Sequence, residues 1–210
     1  MKTSKDTSSE KSHLVSFSQI EKHHPYKTFL FFALIGSGIL FLSFSFLFYL
    51  TITRNESPTD FLLPKSFALS TILILLSSLA ISRLTSAYRK DSFFEIRASL
   101  LSTLSLTSLF ILTQIFGWLS IYEHGYFLKE NIAIAYLFII SGIHFLHVIG
   151  GFTYLAITTY KTIIIESNIA KTLMFFSDNY HFTRFQLIQW YWHFLDFMWV
   201  FLYLLFLYTL

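Results

Sequence analysis

Five long apolar segments dominate the pattern of hydrophobic and polar positions along the chain. A helix needs about 20 apolar residues to cross a hydrocarbon core about 30 Å thick. Lipid offers no partners to backbone N–H and C=O groups, so a single spanning segment must be helical. The pattern therefore predicts an all-α, polytopic membrane protein with a bundle of five transmembrane helices. Their predicted ranges are roughly 28–53, 66–88, 96–122, 131–160 and 185–210.

The same pattern predicts two parts, a polar tail at 1–26 and a transmembrane domain at 27–210. The tail carries several Lys residues and lacks the short apolar core and small-residue cleavage site of a signal peptide. We expect it to be solvated, because it has little apolar surface to bury. No internal repeat is evident, which disfavours a transporter built from inverted repeats.

Composition agrees with lipid as the solvent, since only 13% of the residues are charged and 54% are hydrophobic. A soluble domain usually has about 25% charged residues. The chain contains no cysteine, which excludes disulfides, thiolate zinc sites, iron–sulfur clusters and thiolate-bridged copper centres. The net charge of +3 comes without a basic face, so nucleic-acid binding is not indicated.

The distribution of Lys and Arg predicts the orientation of the helices. Twelve of the 15 basic residues lie in the N-terminal tail, between the second and third segments, between the fourth and fifth, or at the segment ends that adjoin these regions. The three on the opposite side are Arg54, Lys65 and Lys129. Because cytoplasmic loops carry the excess of positive charge, we expect a cytoplasmic N-terminus and an external C-terminus.

Ionisable groups at membrane depth are the candidates for chemistry, because they are costly in lipid. In the fourth segment His144 and His147 are three residues apart and therefore share one helix face. This pairing is compatible with a metal or haem site, a proton relay or a polar contact that holds helices in register. Gly151 continues the same face and would let a neighbouring helix approach closely, and Gly150 precedes it.

The fifth segment carries His193 and Asp196 on one face, near the middle of the bilayer. Because the fourth and fifth segments run in opposite directions, His147 and Asp196 could lie at similar depth. We predict a hydrogen-bonded cluster that joins these two residues to His193 or His144. If this cluster exists, exchanging Asp196 for Asn should weaken assembly and thermal stability.

Further polar and aromatic residues are predicted to serve interhelical packing. In the third segment Gln114 and Trp118 are one turn apart, which favours interhelical bonding and interface anchoring over a ligand pocket. A run of Ser and Thr residues in the same segment predicts a packing seam of small side chains. Aromatic residues of the fifth segment complete the set of predicted packing residues, namely Trp190, Trp192, Trp199 and Tyr203.

Two motifs in these segments resemble cytochrome c oxidase subunit III. The stretch HFLHVIGG at 144–151 is similar to the family's HGxHVxxG, and YWHFLD at 191–196, followed by Trp199 and Tyr203, is similar to its final-helix signature YWHFxDxxWxxxY. QIFGW at 114–118 is similar to the QxxGW of some bacterial members. The resemblance covers roughly 26–210.

This resemblance implies an accessory subunit of a proton-pumping oxidase in the bacterial inner membrane. Such a subunit has no catalytic centre, haem or copper of its own. It packs directly against subunit I, contacts other oxidase subunits and holds phospholipid. It supports assembly and sustained proton-coupled reduction of oxygen by cytochrome c. The resemblance thus assigns catalysis, haem and copper to partner chains.

The sequence also departs from the larger family members. They have seven helices, of which this chain matches the last five, as a short five-helix form. A membrane Glu of many members is absent from 34–38, and another is replaced by Gln186. These losses argue against a proton antenna on this chain. Subunit III of a quinol oxidase, a homologue associated with nitric oxide reductase, a stand-alone proton channel or transporter, and a structural adaptor remain as alternative functions.

Overall fold

The computed structural model describes residues 25–54, 63–123, 132–166, 172, 174–176 and 179–209. The described helices are numbered in chain order, and those that could span a membrane correspond to the five predicted segments. The predicted fold class is therefore confirmed. The tail before residue 25 lies outside the described part. The helices are α1 Pro25–Arg54, α2 Lys65–Ser82, α3 Leu84–Arg89, α4 Phe93–Glu123, α5 Ile132–Glu166 and α6 Asn179–Thr209.

The chain divides into two compact units, Met1–Ser37 and Gly38–Leu210. The described part of the first unit is the beginning of α1, whose Phe29, Phe31 and Phe32 are exposed. The second unit contains the rest of α1 and all later helices. Its large apolar side chains on the outside are those of a surface suited to lipid.

Two aromatic-rich cores lie within the second unit. The first contains Phe67, Phe110 and Trp199, with Phe67 and Trp199 stacked at a centroid distance of 6.0 Å. The second lies at the α3 end of the unit around Tyr88 and Phe185. The phenol of Tyr88 donates a 2.6 Å hydrogen bond to the carbonyl of Phe175, so its polar tip is satisfied inside an aromatic cluster.

The second predicted segment is divided at Arg83, where α2 ends and α3 begins. Side chains from other helices donate hydrogen bonds to backbone carbonyls next to this break. Ser99 donates a 2.7 Å hydrogen bond to the carbonyl of Ala80, and the amide of Gln189 donates to the carbonyl of Ser82 at 3.3 Å. Because such insertions interrupt the helical hydrogen-bond ladder, they account for the break.

The turn between α3 and α4 is fixed by local polar contacts. Asp91 has a φ of 53°, in the left-handed region that Asp tolerates better than most residues. Ser92 accepts a 3.4 Å hydrogen bond from the backbone N–H of Glu95 and so caps α4. Lys90 pairs with Glu95 at 3.4 Å, an exposed pair of small energetic value.

Candidate functional site

Helix α6 contacts α2 through three polar side chains. Together with a contact from Tyr191 of α6 to the backbone of α5, they form what we call the α6 seam. The indole N–H of Trp192 donates to the hydroxyl of Ser77 at 2.8 Å, and that of Trp199 donates to Thr71 at 3.1 Å. The third contact is a 2.8 Å hydrogen bond between Nδ1 of His193 and the hydroxyl of Ser78. An indole can only donate, so a hydroxyl in the facing helix is a suitable partner. The list of seam residues is Thr71, Ser77, Ser78, Tyr191, Trp192, His193 and Trp199.

Tyr191 extends the seam to α5. Its hydroxyl donates a 2.9 Å hydrogen bond to the carbonyl of His147. Its ring lies directly over Gly151, where a Cβ would be only 2.7 Å from Cε1 of Tyr191 and 3.2 Å from Cζ3 of Trp192. The predicted close approach at Gly151 is therefore observed. The absence of a side chain there lets two aromatic rings lie against the backbone of α5.

His144 and His147 lie on one face of α5, because both rings pack against Phe41, at centroid distances of 6.2 and 5.5 Å. Their environments differ. Nδ1 of His147 is 2.8 Å from the carbonyl of Ile143 in its own helix. His144 is fully buried, tilted against Trp199 at 5.1 Å, and neither ring nitrogen has a hydrogen-bond partner among the described residues.

Asp196 is also buried, with 4% of its surface exposed. Its carboxylate lies beside the hydroxyl of Ser78, but neither oxygen has a hydrogen bond of good geometry in the described part of the chain. Nδ1 of His193 lies 3.9 Å from Oδ2 of Asp196, which is too far for a hydrogen bond. The predicted hydrogen-bonded cluster of His147, Asp196 and His193 or His144 therefore stays a prediction. Ser78 contacts two of its members, because it bonds to His193 and lies beside Asp196, while Nδ1 of His147 bonds within its own helix.

Gln114 and Trp118 lie one turn apart in α4 but differ in bonding. The indole of Trp118 donates a 3.1 Å hydrogen bond to Ser141 and packs edge-on against Phe145 at 4.9 Å. The predicted interhelical bond is thus present at Trp118. Gln114 is 1% exposed, and its amide oxygen and nitrogen have no hydrogen-bond partner within the described ranges. We call Gln114, His144 and Asp196 the unbonded trio.

Most hydroxyls in the Ser and Thr run of α4 donate hydrogen bonds to backbone carbonyls of the same helix. Thr103 and Thr107 donate to carbonyls one turn earlier in α4, and Thr107 also lies 3.4 Å from Ser77 of α2. Ser99 bonds across to α2, as described above. Each of these hydroxyls has a hydrogen-bond partner in α4 or α2. The two helices can therefore pack closely without leaving these polar groups unbonded.

Three predicted packing residues are not in the described interior. Gly150 is exposed, and a Cβ there would meet no heavy atom within 4 Å. Trp190 is half exposed, and Tyr203 lies at the edge of the first core. The helix turns Gly150 away from Tyr191, so its role in helix packing or at an interface stays a prediction.

Sequence reasoning missed several functional partners. Thr71, Ser77, Ser78 and Gln189 belong to a background of small and polar residues in apolar helices, with no local signal for their bonds. Tyr191 had a signal, since it lies next to two predicted residues in the final-helix motif. Among the described residues, no three His, Cys, Asp or Glu side chains are grouped as in a metal site.

Comparison with known proteins identifies the arrangement. The family model for cytochrome c oxidase subunit III matches residues 29–209, which include the α6 seam and the unbonded trio. This chain belongs to the cytochrome c oxidase subunit III family. The resemblance inferred from the two motifs is confirmed. The family match extends well beyond those motifs, since it includes all of α2 to α6.

Curated relatives that this chain is similar to carry the name of the family. The cytochrome c oxidase subunit 3 of Loxodonta africana is 32% identical over 136 residues, covering 65% of this chain and 47% of the relative. That of Ornithorhynchus anatinus is 30% identical over 135 residues, covering 64% and 47%. The protein of Pan troglodytes gives the same percentages. The chain therefore spans about half the length of the curated relatives it matches.

Proposed function

We propose that this chain is an accessory subunit of a terminal respiratory oxidase that reduces oxygen with electrons from cytochrome c. In this proposal it docks directly against subunit I, which holds haem and copper with the other subunits, and the chain supports assembly and sustained proton-coupled turnover. The observation that carries the proposal is the subunit III family match over 29–209. The geometry of the α6 seam supports it.

The seam residues are committed to bracing helices. Trp192, His193 and Trp199 bind α2, and Tyr191 binds the backbone of α5. The indole ring of the seam residue Trp199 is enclosed by the rings of Phe67, Phe110 and His144. A side chain packed in this way is suited to holding the bundle rigid beside a catalytic neighbour.

The test is co-purification of the full chain with its native partners. A tagged chain extracted in mild detergent should elute with a haem-bearing large subunit, and the eluate should oxidise reduced cytochrome c with oxygen consumption. A Gly151→Leu chain, which cannot form the α5–α6 contact, controls for adsorption of apolar proteins. An eluate without haem overturns the proposal. Oxidation of quinol, or reduction of nitric oxide, in place of cytochrome c oxidation would assign the chain to an alternative oxidase class.

We also propose that the chain lies in a bacterial inner membrane with its N-terminus in the cytoplasm and its C-terminus outside. The support is the excess of Lys and Arg in the tail and in the 83–97 and 161–184 regions. The lack of cysteine makes the test clean, because one introduced thiol is the only reactive thiol of the chain. In spheroplasts, a membrane-impermeant maleimide should label Thr209→Cys and spare Lys90→Cys. The reverse labelling contradicts the orientation.

The role in lipid binding is proposed on the same basis. Exposed apolar side chains cover much of the outside of α2, α4 and α5 in the second unit. Phospholipid should remain with the purified complex after detergent exchange, and complete delipidation should shorten the period of linear oxygen consumption. Full and lasting activity without lipid contradicts this part of the proposal.

A further inference from the structure

An open groove lies between α2 and α4 at the end of the second unit that carries α3. Its volume is about 790 Å³, within the roughly 300–1,000 Å³ of a typical small-molecule pocket. Its apolar walls come from α2 and α4. The lining residues used below are Leu76, Leu79, Arg83, Glu95, Ala98 and Leu106.

The shape of this groove is fixed by hydrogen bonds behind its wall. Ser99 binds the carbonyl of Ala80, and Gln189 binds the carbonyl of Ser82, so both flanks of the α2–α3 break are held by other helices. Gln189 also accepts a 3.0 Å hydrogen bond from Thr85, on the α3 side of the break. The break therefore sets the position from which the side chain of Arg83 emerges.

Arg83 is a cation at this groove whose side chain has no partner among the described residues. Its side chain is exposed, and its guanidinium makes no hydrogen bond or ion pair within the described part of the chain. The neighbouring charges are engaged, because Glu95 pairs with Lys90 and Arg89 lies 5.2 Å over the ring of Phe182. A guanidinium forms paired hydrogen bonds with phosphate oxygens more readily than a lysine does.

The groove wall is suited to an acyl chain. Ser102 donates to the carbonyl of Ser99 within α4, and Ser99 itself bonds to α2, so these wall hydroxyls are already satisfied. What remains toward the groove is apolar, chiefly Leu76, Leu79 and Leu106. An apolar channel that ends at an unpaired cation matches a molecule with a long apolar chain and an anionic head.

We propose that this groove binds one anionic phospholipid, with its headgroup phosphate on Arg83 and an acyl chain along Leu76, Leu79 and Leu106. The inference deepens the lipid-binding part of the proposed function and rests on it. It assigns Arg83 as the residue that selects the headgroup. Gln189 and Ser99 are positioning residues, because they fix the break from which Arg83 projects.

The experiment is native mass spectrometry of the full chain purified in mild detergent, titrated with dioleoyl phosphatidylglycerol or dioleoyl phosphatidylcholine. The wild-type chain should retain one phosphatidylglycerol more tightly than phosphatidylcholine. Arg83→Gln should weaken the first affinity about fivefold, the effect of one basic group near an anionic headgroup, and remove the preference between the lipids. Arg89→Gln removes the same charge from the same end and should leave the preference intact.

A second variant tests the acyl channel separately. Ala98 lines the groove and is exposed, so Ala98→Trp should block the channel and lower retention of both lipids while Arg83 is unchanged. Equal losses in Arg83→Gln and Arg89→Gln overturn the site, as does a crosslink from position 98 to a protein subunit in the intact complex. If lipid is retained but is insensitive to all three variants, the site fails while the lipid-binding function stands.

Discussion

Along the α6 seam, Trp192 and Trp199 each donate to a hydroxyl of α2. Close by, His144 lies against the ring of Trp199 with both nitrogens unbonded, and Gln114 is buried without a described partner. Each polar group of the seam forms an interhelical hydrogen bond that fixes the register of two helices. The unbonded trio contributes no such contact to the described structure.

The difference separates two reasons for placing polar residues at membrane depth. A satisfied interhelical bond stabilises, although it contributes only about 0.6 kcal/mol on average in a membrane protein. A buried polar group without a partner costs roughly 1–3 kcal/mol. The seam is therefore explained by packing, whereas the trio lowers stability and points to a role in function.

The largest effect should come from breaking the α5–α6 contact of the seam. Gly151→Leu places a side chain where even its Cβ would lie only 2.7 Å from the ring of Tyr191. We expect a loss of about 3 kcal/mol or more in unfolding free energy, because the helices must separate to admit it. Thermal unfolding in mild detergent, followed by protease resistance, measures this.

Gly150→Leu is the matched control for that substitution. It adds the same side chain one residue away, where no heavy atom lies within 4 Å. Its stability should equal that of the wild type. If the two variants unfold alike, then Tyr191 does not lie on Gly151 in the membrane, and the seam as described is incorrect.

The sequence could predict features that are set within one helix, but not those that depend on how two helices are rotated against each other. Gly151 and the shared face of His144 and His147 follow from helical period and residue size alone. The partner of His193 does not, because the sequence contains no record of how α2 is rotated against α6. The hydrogen-bond partner of His193 is Ser78 of α2, a residue that the cluster hypothesis did not include.

The break at Arg83 could not be predicted for a similar reason. The second segment reads as one continuous apolar run, and no Gly or Pro marks its division. The break depends on Ser99 and Gln189, which come from two other helices. Spans and family were accessible from local pattern and motif, while bends and interhelical bonds require the tertiary arrangement.

An intermediate effect, opposite in sign, should come from removing polar atoms of the trio. His144→Phe keeps an aromatic ring against Trp199 and deletes two unbonded nitrogens. We expect a gain of about 1 kcal/mol in unfolding free energy. If the proposed function holds, oxygen consumption by the assembled oxidase should fall, because a buried polar group that costs stability points to a role in function. Both are measured on the same purified complex.

Asp196→Asn sharpens the same point. Because the carboxylate of Asp196 has no hydrogen bond of good geometry among the described residues, the thermal stability of this variant should stay close to that of the wild type. A stability loss in either Asp196→Asn or His144→Phe would show that these groups are bonded in the membrane-embedded protein. The contrast between seam and trio would then fail, and the cluster hypothesis from the sequence would regain support.

The smallest effect belongs to one bond of the seam. Trp192→Phe and Ser77→Ala each remove one partner of the 2.8 Å hydrogen bond between α6 and α2. Their double-mutant cycle should give a coupling of about 0.6 kcal/mol, measured by thermal or denaturant unfolding in detergent. The cycle is needed because Trp192→Phe also changes packing in the second core.

Ser82→Ala supplies the control, because Ser82 is an exposed serine of the same helix and should show no coupling to Trp192. Zero coupling at Ser77 would mean that the seam is held by ring packing alone, and its polar tips would then need the same functional explanation as the trio.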